Sequence, residues 1–330
     1  MIHVKSLSKN YQIVKRDPGL RGAMKALLKR TYMTKHAVKN IDFDIEQGEM
    51  IGYIGANGAG KSTTIKMLCG ILTPTDGEIT VNSIVPYKDR QKNAKNIGAV
   101  FGQRTQLFWD IPVRESYDLL RHIYEVPEEQ YKETLALFTE VLNLEPLLAI
   151  PVRQLSLGQK MRCELAAAFL HRPKVVYLDE PTIGLDIAVK VRIRQFIKQM
   201  NKMWGTTVIL TTHDMQDIEE ICTRIIIINE GTIIYDGNLQ SIQENFGHKR
   251  LIHFELEADE TIKLPEKLSG IAEIDSYDQE HRKVTLSITS KELSAASIIA
   301  TMMTEYAIRD LTIADPKIET IVEEIFNRGS

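Results

Sequence analysis

Short apolar runs separated by polar, glycine-containing turns recur through the first 240 or so residues of the chain. Ile51-Gly52-Tyr53-Ile54, Ile97-Gly98-Ala99-Val100-Phe101, Val175-Val176-Tyr177-Leu178 and Val208-Ile209-Leu210 do not alternate with polar residues. That pattern predicts strands covered on both faces, as in a parallel sheet. Ile2, Val4 and Leu7 are spaced by polar residues, so residues 1–13 read as an edge strand; Val38, Ile41, Phe43 and Ile45 predict another strand, and residues 78–81 a third. Apolar runs at 224–228 and 232–235 flank Asn229-Glu230-Gly231, a hairpin signature. Helical patterning covers 63–69, 113–124, 128–142, 158–170 and 189–203 and resumes at 216. A helical block at about 104–172, set between strands of an α/β core, predicts an inserted subdomain.

Two stretches depart from this plan. In residues 15–35, Leu20, Ala23, Met24, Leu27 and Leu28 follow helical spacing, with Arg21, Lys25 and Lys29 on another face. The expectation is a basic amphipathic insertion that contacts anionic lipid, grips an acidic partner or packs on its own domain. Beyond residue 246 the pattern restarts as strands at 251–257, 271–277, 283–288 and 308–313 with helices at 293–304 and 317–326. This predicts a first domain over 1–245 and a small C-terminal α/β accessory domain over 246–330, for which a ferredoxin-like arrangement is the candidate.

Composition narrows the class. At 330 residues, 43% hydrophobic and 26% charged, the chain can bury a sizeable core. A net charge of −3 predicts no global attraction to nucleic acid. Cys69, Cys163 and Cys222 are too far apart for zinc spacing and read as reduced thiols. No signal peptide and no apolar run long enough to cross a bilayer is expected, so any membrane-spanning part belongs to another chain.

The chemistry concentrates at strand ends. Gly55-Ala56-Asn57-Gly58-Ala59-Gly60-Lys61-Ser62-Thr63 fits G-x-x-x-x-G-K-[ST] between a strand and a helix. Its glycines let backbone N–H groups converge on phosphate oxygens at the positive end of a helix; Lys61 reaches the outer phosphates and the Ser62 hydroxyl suits Mg²⁺. Asp179 and Glu180 are adjacent acids closing a buried strand, costly unless a metal or cation uses them. Asp179 then suits the metal through water, and Glu180 a base for water. His213 closes another strand, and Gln103 a third. Ser156 and Gln159 have the spacing of a capping box, and Tyr11 either stacks on a base or is a half-buried strand-end residue.

Taken in order, the phosphate loop, Gln103, Leu155-Ser156-Leu157-Gly158-Gln159, Asp179-Glu180-Pro181, Gly184-Leu185-Asp186 and His213 resemble an ATP-binding cassette (ABC) nucleotide-binding domain over about residues 1–245. Leu157 replaces the usual first glycine of the signature. Phe101-Gly102-Gln103, Leu107-Phe108-Trp109-Asp110 and the tail at 310–316 are similar to ATPase subunits of the daunorubicin-resistance and sodium-extrusion exporters. The resemblance implies a P-loop NTPase cassette with a helical and an antiparallel β subdomain, and a homodimer that closes on ATP. It implies ATP and Mg²⁺ as cofactors, the latter placed by Ser62, Gln103 and Asp179. Catalysis then falls to Glu180, His213, Lys61 and Gln103. Binding falls to Tyr11, Gly55, Asn57, Gly58, Ala59, Gly60, Lys61, Ser62 and Thr63 of one copy, capped by Ser156, Gly158 and Gln159 of the other, with Asp186 bridging to the opposite loop. An integral membrane permease docking near residues 103–109 is the implied partner, with the chain peripheral on the inner face of the cell membrane. A soluble cassette ATPase acting on ribosomes or nucleic acid is the alternative, and lacks support from a second cassette, a long coiled coil or a strongly basic face.

Overall fold

The computed structural model describes residues 1–15, 31–102, 105–246, 251–258, 262–278, 280–288, 294–314 and 318–328. The chain divides into two compact units, Met1–Asp236 and Gly237–Ser330. The sequence pattern puts the change nine residues later, beyond helix Leu239–Phe246.

The first unit holds two sheets. The larger has the order β5-β6-β7-β3-β8-β9, from β3 (Met50–Ile54), β5 (Ile97–Phe101), β6 (Val175–Asp179), β7 (Thr207–Thr211), β8 (Arg224–Asn229) and β9 (Thr232–Asn238). Pairings β5–β6, β6–β7, β7–β3 and β3–β8 are parallel. The non-alternating runs read from the sequence are these strands; every residue of β7 is buried. The β8–β9 turn has Glu230 at φ 46 and Gly231 at φ 85, the two positive values a type I′ hairpin turn requires.

The smaller sheet is antiparallel, ordered β2-β1-β4, from β1 (Ile2–Lys15), β2 (Thr31–Ile45) and β4 (Asp76–Val81). Two expectations are corrected here. β1 is the central strand of its sheet rather than an edge. The ends of the basic insertion expected over 15–35 are strand: Lys15 pairs Thr31 and Tyr11 pairs Lys35 across a long ribbon. Thr31, Tyr32 and Thr34 are β-formers, and cross-strand pairing overrides the helical spacing beside them. Residues 16–30, the core of that expected helix, lie outside the described residues.

Helix α1 (Lys61–Leu68) follows β3, and its Ile65, Met67 and Leu68 join one core with Ile2, Val4 and Phe43 of the small sheet and Tyr177 and Ile226 of the large one. The phosphate loop is thereby carried on a helix packed against both sheets. Helix α2 (Arg90–Ala94) leads into β5. Between β5 and β6 stand α3 (Val113–Ile123), α4 (Glu128–Leu142) and α5 (Leu157–Phe169), with α6 (Ile187–Trp204) and α7 (Met215–Ile221) following β6 and β7. Helix α5 lies so close to β5 that a Cβ on Gly98 would sit 2.2 Å from the Ala168 carbonyl oxygen. Gly98→Ala is expected to destabilise the fold by about 1–3 kcal/mol, measured by denaturant unfolding, because backbone rather than a flexible side chain must yield.

The second unit begins with α8 (Leu239–Phe246). It carries a four-stranded antiparallel sheet ordered β11-β12-β10-β13, from β10 (Leu251–Leu256), β11 (Ala272–Asp278), β12 (Lys283–Ile288) and β13 (Ile308–Ala314). With α9 (Ala295–Glu305) between β12 and β13, this is the strand order of a ferredoxin-like fold, its first helix reduced to the turn Glu266–Leu268. Helix α10 (Ile318–Arg328) follows.

Candidate active site

The parallel strands end in register: Phe101 lies opposite Asp179 and Asp179 opposite Thr211. Their carboxyl ends, with the loop after β3, border an open cleft of about 790 Å³. Open α/β sheets bind ligands at that edge. Lining it are Tyr11, Asn57, Gly58, Gly60, Lys61, Ser62, Thr63, Asp179, Glu180 and His213. So one cleft collects the phosphate loop, the paired acids, the strand-end histidine and the aromatic of β1, from four separate stretches of sequence.

The loop is shaped to receive an anion. Gly58 and Gly60 sit at φ 86 and 117, conformations that side chains avoid. A Cβ on Gly55 would stand 2.3 Å from the Ile228 carbonyl oxygen, so this glycine lets the loop lie against β8. No side chain caps α1, whose cap residue is Gly60; the first-turn N–H groups therefore keep the positive end of the helix free for phosphate. Ala59 is buried beneath the loop and Ser62 is exposed at its rim. Lys61, 8% exposed, turns its ammonium onto the Gly55 and Ala56 carbonyls. Burial draws its pKa down, while Glu180 and Asp179 push it back up.

The acids differ in setting. Asp179 accepts a hydrogen bond from Thr211 through Oδ1 at 2.5 Å, and carboxylate and hydroxyl oxygens are the donors a hard divalent cation prefers. Glu180 has φ 57, a left-handed conformation unusual for a side-chain-bearing residue. Its N–H donates to the Thr211 carbonyl at 2.9 Å, and its Oε1 stands 3.2 Å from His213 Nε2. Burial holds the Glu180 carboxyl above the usual range, opposed by His213 and Lys61 and reinforced by Asp179. A carboxylate with a raised pKa paired to a histidine is a setting for proton acceptance.

Ser156, Gly158, Gln159 and Asp186 are not among the residues lining this cleft. Ser156 caps α5: its Oγ accepts from the Gln159 N–H at 3.3 Å, and Gln159 Oε1 accepts from the Ser156 N–H at 2.8 Å. The capping-box reading is realised. Asp186 is exposed and caps α6 through Val189 N–H at 2.9 Å. Gln103 lies outside the described residues. Within the 103–109 stretch expected to dock a permease, Phe108 and Trp109 are exposed, but Leu107 is buried and belongs to the core.

Sequence reasoning missed Thr211, whose place opposite Asp179 in the sheet was its only signal. It also missed Glu164, a buried acid of α5 that accepts from the Thr105 hydroxyl and from Gln106 N–H at 3.2 Å. Burial raises the pKa of this group, which ties the segment after Gln103 to the signature helix.

Comparison with known proteins agrees with this geometry. The family model described as "ABC transporter" matches residues 38–183. The ABC transporter ATP-binding protein NatA of Bacillus subtilis is 31% identical over 63% of this chain and 85% of its own. The linearmycin resistance ATP-binding protein LnrL of the same organism is 29% identical over 91% of this chain and 97% of its own. A cassette called MJ0796, solved as a dimer in a post-hydrolysis state with ADP and Pi, superposes with a TM-score of 0.60 at 26% identity, covering 72% of this chain and 99% of that one. The chain belongs to the ABC transporter family. It is an ATP-binding, ATP-hydrolysing transport subunit with the cassette fold.

Proposed function

We propose that this chain is the Mg²⁺-dependent ATPase of a membrane exporter and acts as a homodimer enclosing two ATP molecules. Each ATP lies on residues 55–63 of one copy and under Ser156, Gly158 and Gln159 of the other, with Asp186 bridging the two. The observation that carries this reading is the split of the site: the cleft gathers the phosphate loop, Asp179, Glu180, His213 and Tyr11, whereas the signature residues stand away from it on an exposed helix start. The likeness to a dimeric cassette supports the same arrangement.

The residues can perform the parts assigned to them. Tyr11 stacks on the base, with the Lys9 ammonium 5.5 Å from its ring centroid. Lys61 exchanges its carbonyl partners for the outer phosphates. Ser62 and Asp179 hold Mg²⁺, with Gln103 assigned by family likeness; the bound ion neutralises phosphate charge. Glu180 orients and deprotonates the attacking water, and His213 fixes the Glu180 carboxylate and contacts the γ-phosphate. Ser156 uses its oxygen only as an acceptor in the cap, so its hydroxyl hydrogen is free to donate to a phosphate across the dimer.

Among the described residues no helix is long and apolar enough to cross a membrane. In this reading the membrane partner is a separate permease and this chain lies at the cytoplasmic face. Exposed Phe108 and Trp109, beside the cleft-lining Phe101–Gly102 segment in sequence, form the docking surface. Export as the direction draws on the likeness to the linearmycin resistance protein, which extends over 91% of the chain. A photocrosslinker introduced through Phe108→Cys is expected to form an adduct with a multi-spanning membrane protein in native membranes. Adducts confined to ribosomal components would overturn the transport reading.

A further inference from the structure

Two loops leave the carboxyl ends of β6 and β7: residues 180–186, starting at Glu180, and 212–214, around His213. A single buried carboxylate pins both. Asp217, fully buried in the first turn of α7, accepts on Oδ2 from the hydroxyl of Thr182 and from that of Thr212 at 3.3 Å. Its Oδ1 accepts from Arg194 Nε at 2.6 Å, and Arg194 is itself only 3% exposed. The guanidinium also donates to Glu220 at 2.8 Å and lies 3.7 Å from Asp214. Lys190, one turn before Arg194 on α6, holds Asp214 at 2.6 Å, and the Asp214 N–H donates to the Thr212 hydroxyl at 3.0 Å.

As a stability device this arrangement is expensive, because desolvating an ion pair commonly outweighs its attraction. Its placement argues for another use. Thr182 lies two residues after Glu180 and Thr212 one residue before His213. Glu180 is held at φ 57, a strained conformation that persists only where the surrounding chain over-determines it. Thr211 fixes one side through Glu180 N–H; the Thr182 hydroxyl on Asp217 fixes the other.

We propose that Asp217, seated on Arg194, is a positioning residue for hydrolysis: by holding the Thr182 and Thr212 hydroxyls on one oxygen it sets the pairing of Glu180 with His213 at the γ-phosphate. The inference rests on the roles given above to Glu180 and His213. Because both hydroxyls share an acceptor, a shift of either loop is felt by the other. The frame is closed through α6, whose first turn is capped by Asp186 and whose Lys190 and Arg194 reach back to Asp214 and Asp217.

The test compares Thr182→Val, Thr182→Ser, Thr212→Val and Asp217→Asn in the full chain. The threonine variants keep the Arg194–Asp217 pair and nearly the original volume, so they remain informative even if Asp217→Asn fails to fold. Thr182→Val and Thr212→Val are expected to lower kcat for ATP roughly 10- to 100-fold through misplacement of the reacting groups. KM for ATP should stay within about twofold, as for an interaction felt only in the transition state. Thr182→Ser, which keeps the hydroxyl, should restore kcat. In a His213→Ala background Thr212→Val should add little, since the two act through one contact. Unchanged kcat with only a lower Tm in the valine variants, or Thr182→Ser as slow as Thr182→Val, would overturn the proposal. Glu180→Gln assayed alongside separates the failures: if it is inactive while the valine variants are fully active, the clamp alone is wrong. If Glu180→Gln is itself fully active, the role of Glu180 is wrong, and the clamp with it.

Discussion

Glu180→Gln is expected to lower the steady-state rate of ATP hydrolysis by roughly 10²- to 10⁴-fold, the usual contribution of a positioned general base, while ATP binding survives. The substitution keeps the shape and the reach to His213 Nε2, 3.2 Å away in the parent protein, but removes the proton acceptor. Lys61 and the uncapped start of α1, to which the proposed mechanism assigns the phosphates, are untouched. The expected phenotype is a dimer that closes on ATP and stays closed. Size-exclusion chromatography with ATP, run beside a phosphate-release assay, checks both halves of that statement.

In the proposed mechanism the same carboxylate sets the acid limb of the pH profile. Burial favours the neutral acid and raises the Glu180 pKa. The base works when deprotonated, so hydrolysis is present above the raised pKa and is lost as pH falls through it. That loss should begin at a higher pH than for an ordinary carboxylate, which titrates near ~4.3. The residual rate of Glu180→Gln should lack this limb.

Ser156→Arg is the second large effect. Ser156 is exposed and caps α5, so replacing it costs about 0.5–2 kcal/mol of helix stability, which leaves a folded protein. The same change places a cation and a long side chain at the helix start that faces ATP in the proposed dimer, and removes the free hydroxyl donor. Hydrolysis should fall to near background while a single copy binds ATP as tightly as the parent. A loss of activity far larger than the loss of stability is what distinguishes a partner-facing residue from a cap.

How much of this was legible beforehand depended on range along the chain. The phosphate loop, Asp179-Glu180 and His213 could be read because each is a strand end with its chemistry in a few consecutive residues. The parallel strands were visible as non-alternating runs for the same local reason. The ribbon ends at 31–35 were not: neighbouring residues at 20–28 have helical spacing, and only the pairing with β1 makes 31–35 a strand. Leu107 falls within the stretch expected to dock a permease, yet it turns inward while Phe108 and Trp109 do not. Asp217 and Arg194 were invisible for a different reason. Both sit in amphipathic helices where a charge ordinarily faces water, and nothing local shows that residues 182, 194, 212 and 217 meet. Glu164 escaped likewise, a charged position of a signature helix that is buried only because the segment after Gln103 folds over it.

In the proposed dimer one working ATP site needs two copies of the chain. Lys61→Ala destroys the loop side and Ser156→Arg the signature side, so each variant alone should be inactive. Mixed in equal amounts and allowed to exchange, half the dimers are heterodimers under two-fold symmetry, and each regains one intact site, so activity should return to about a quarter of the parent's. No recovery on mixing, despite exchange demonstrated by differently tagged copies, would contradict the composite site.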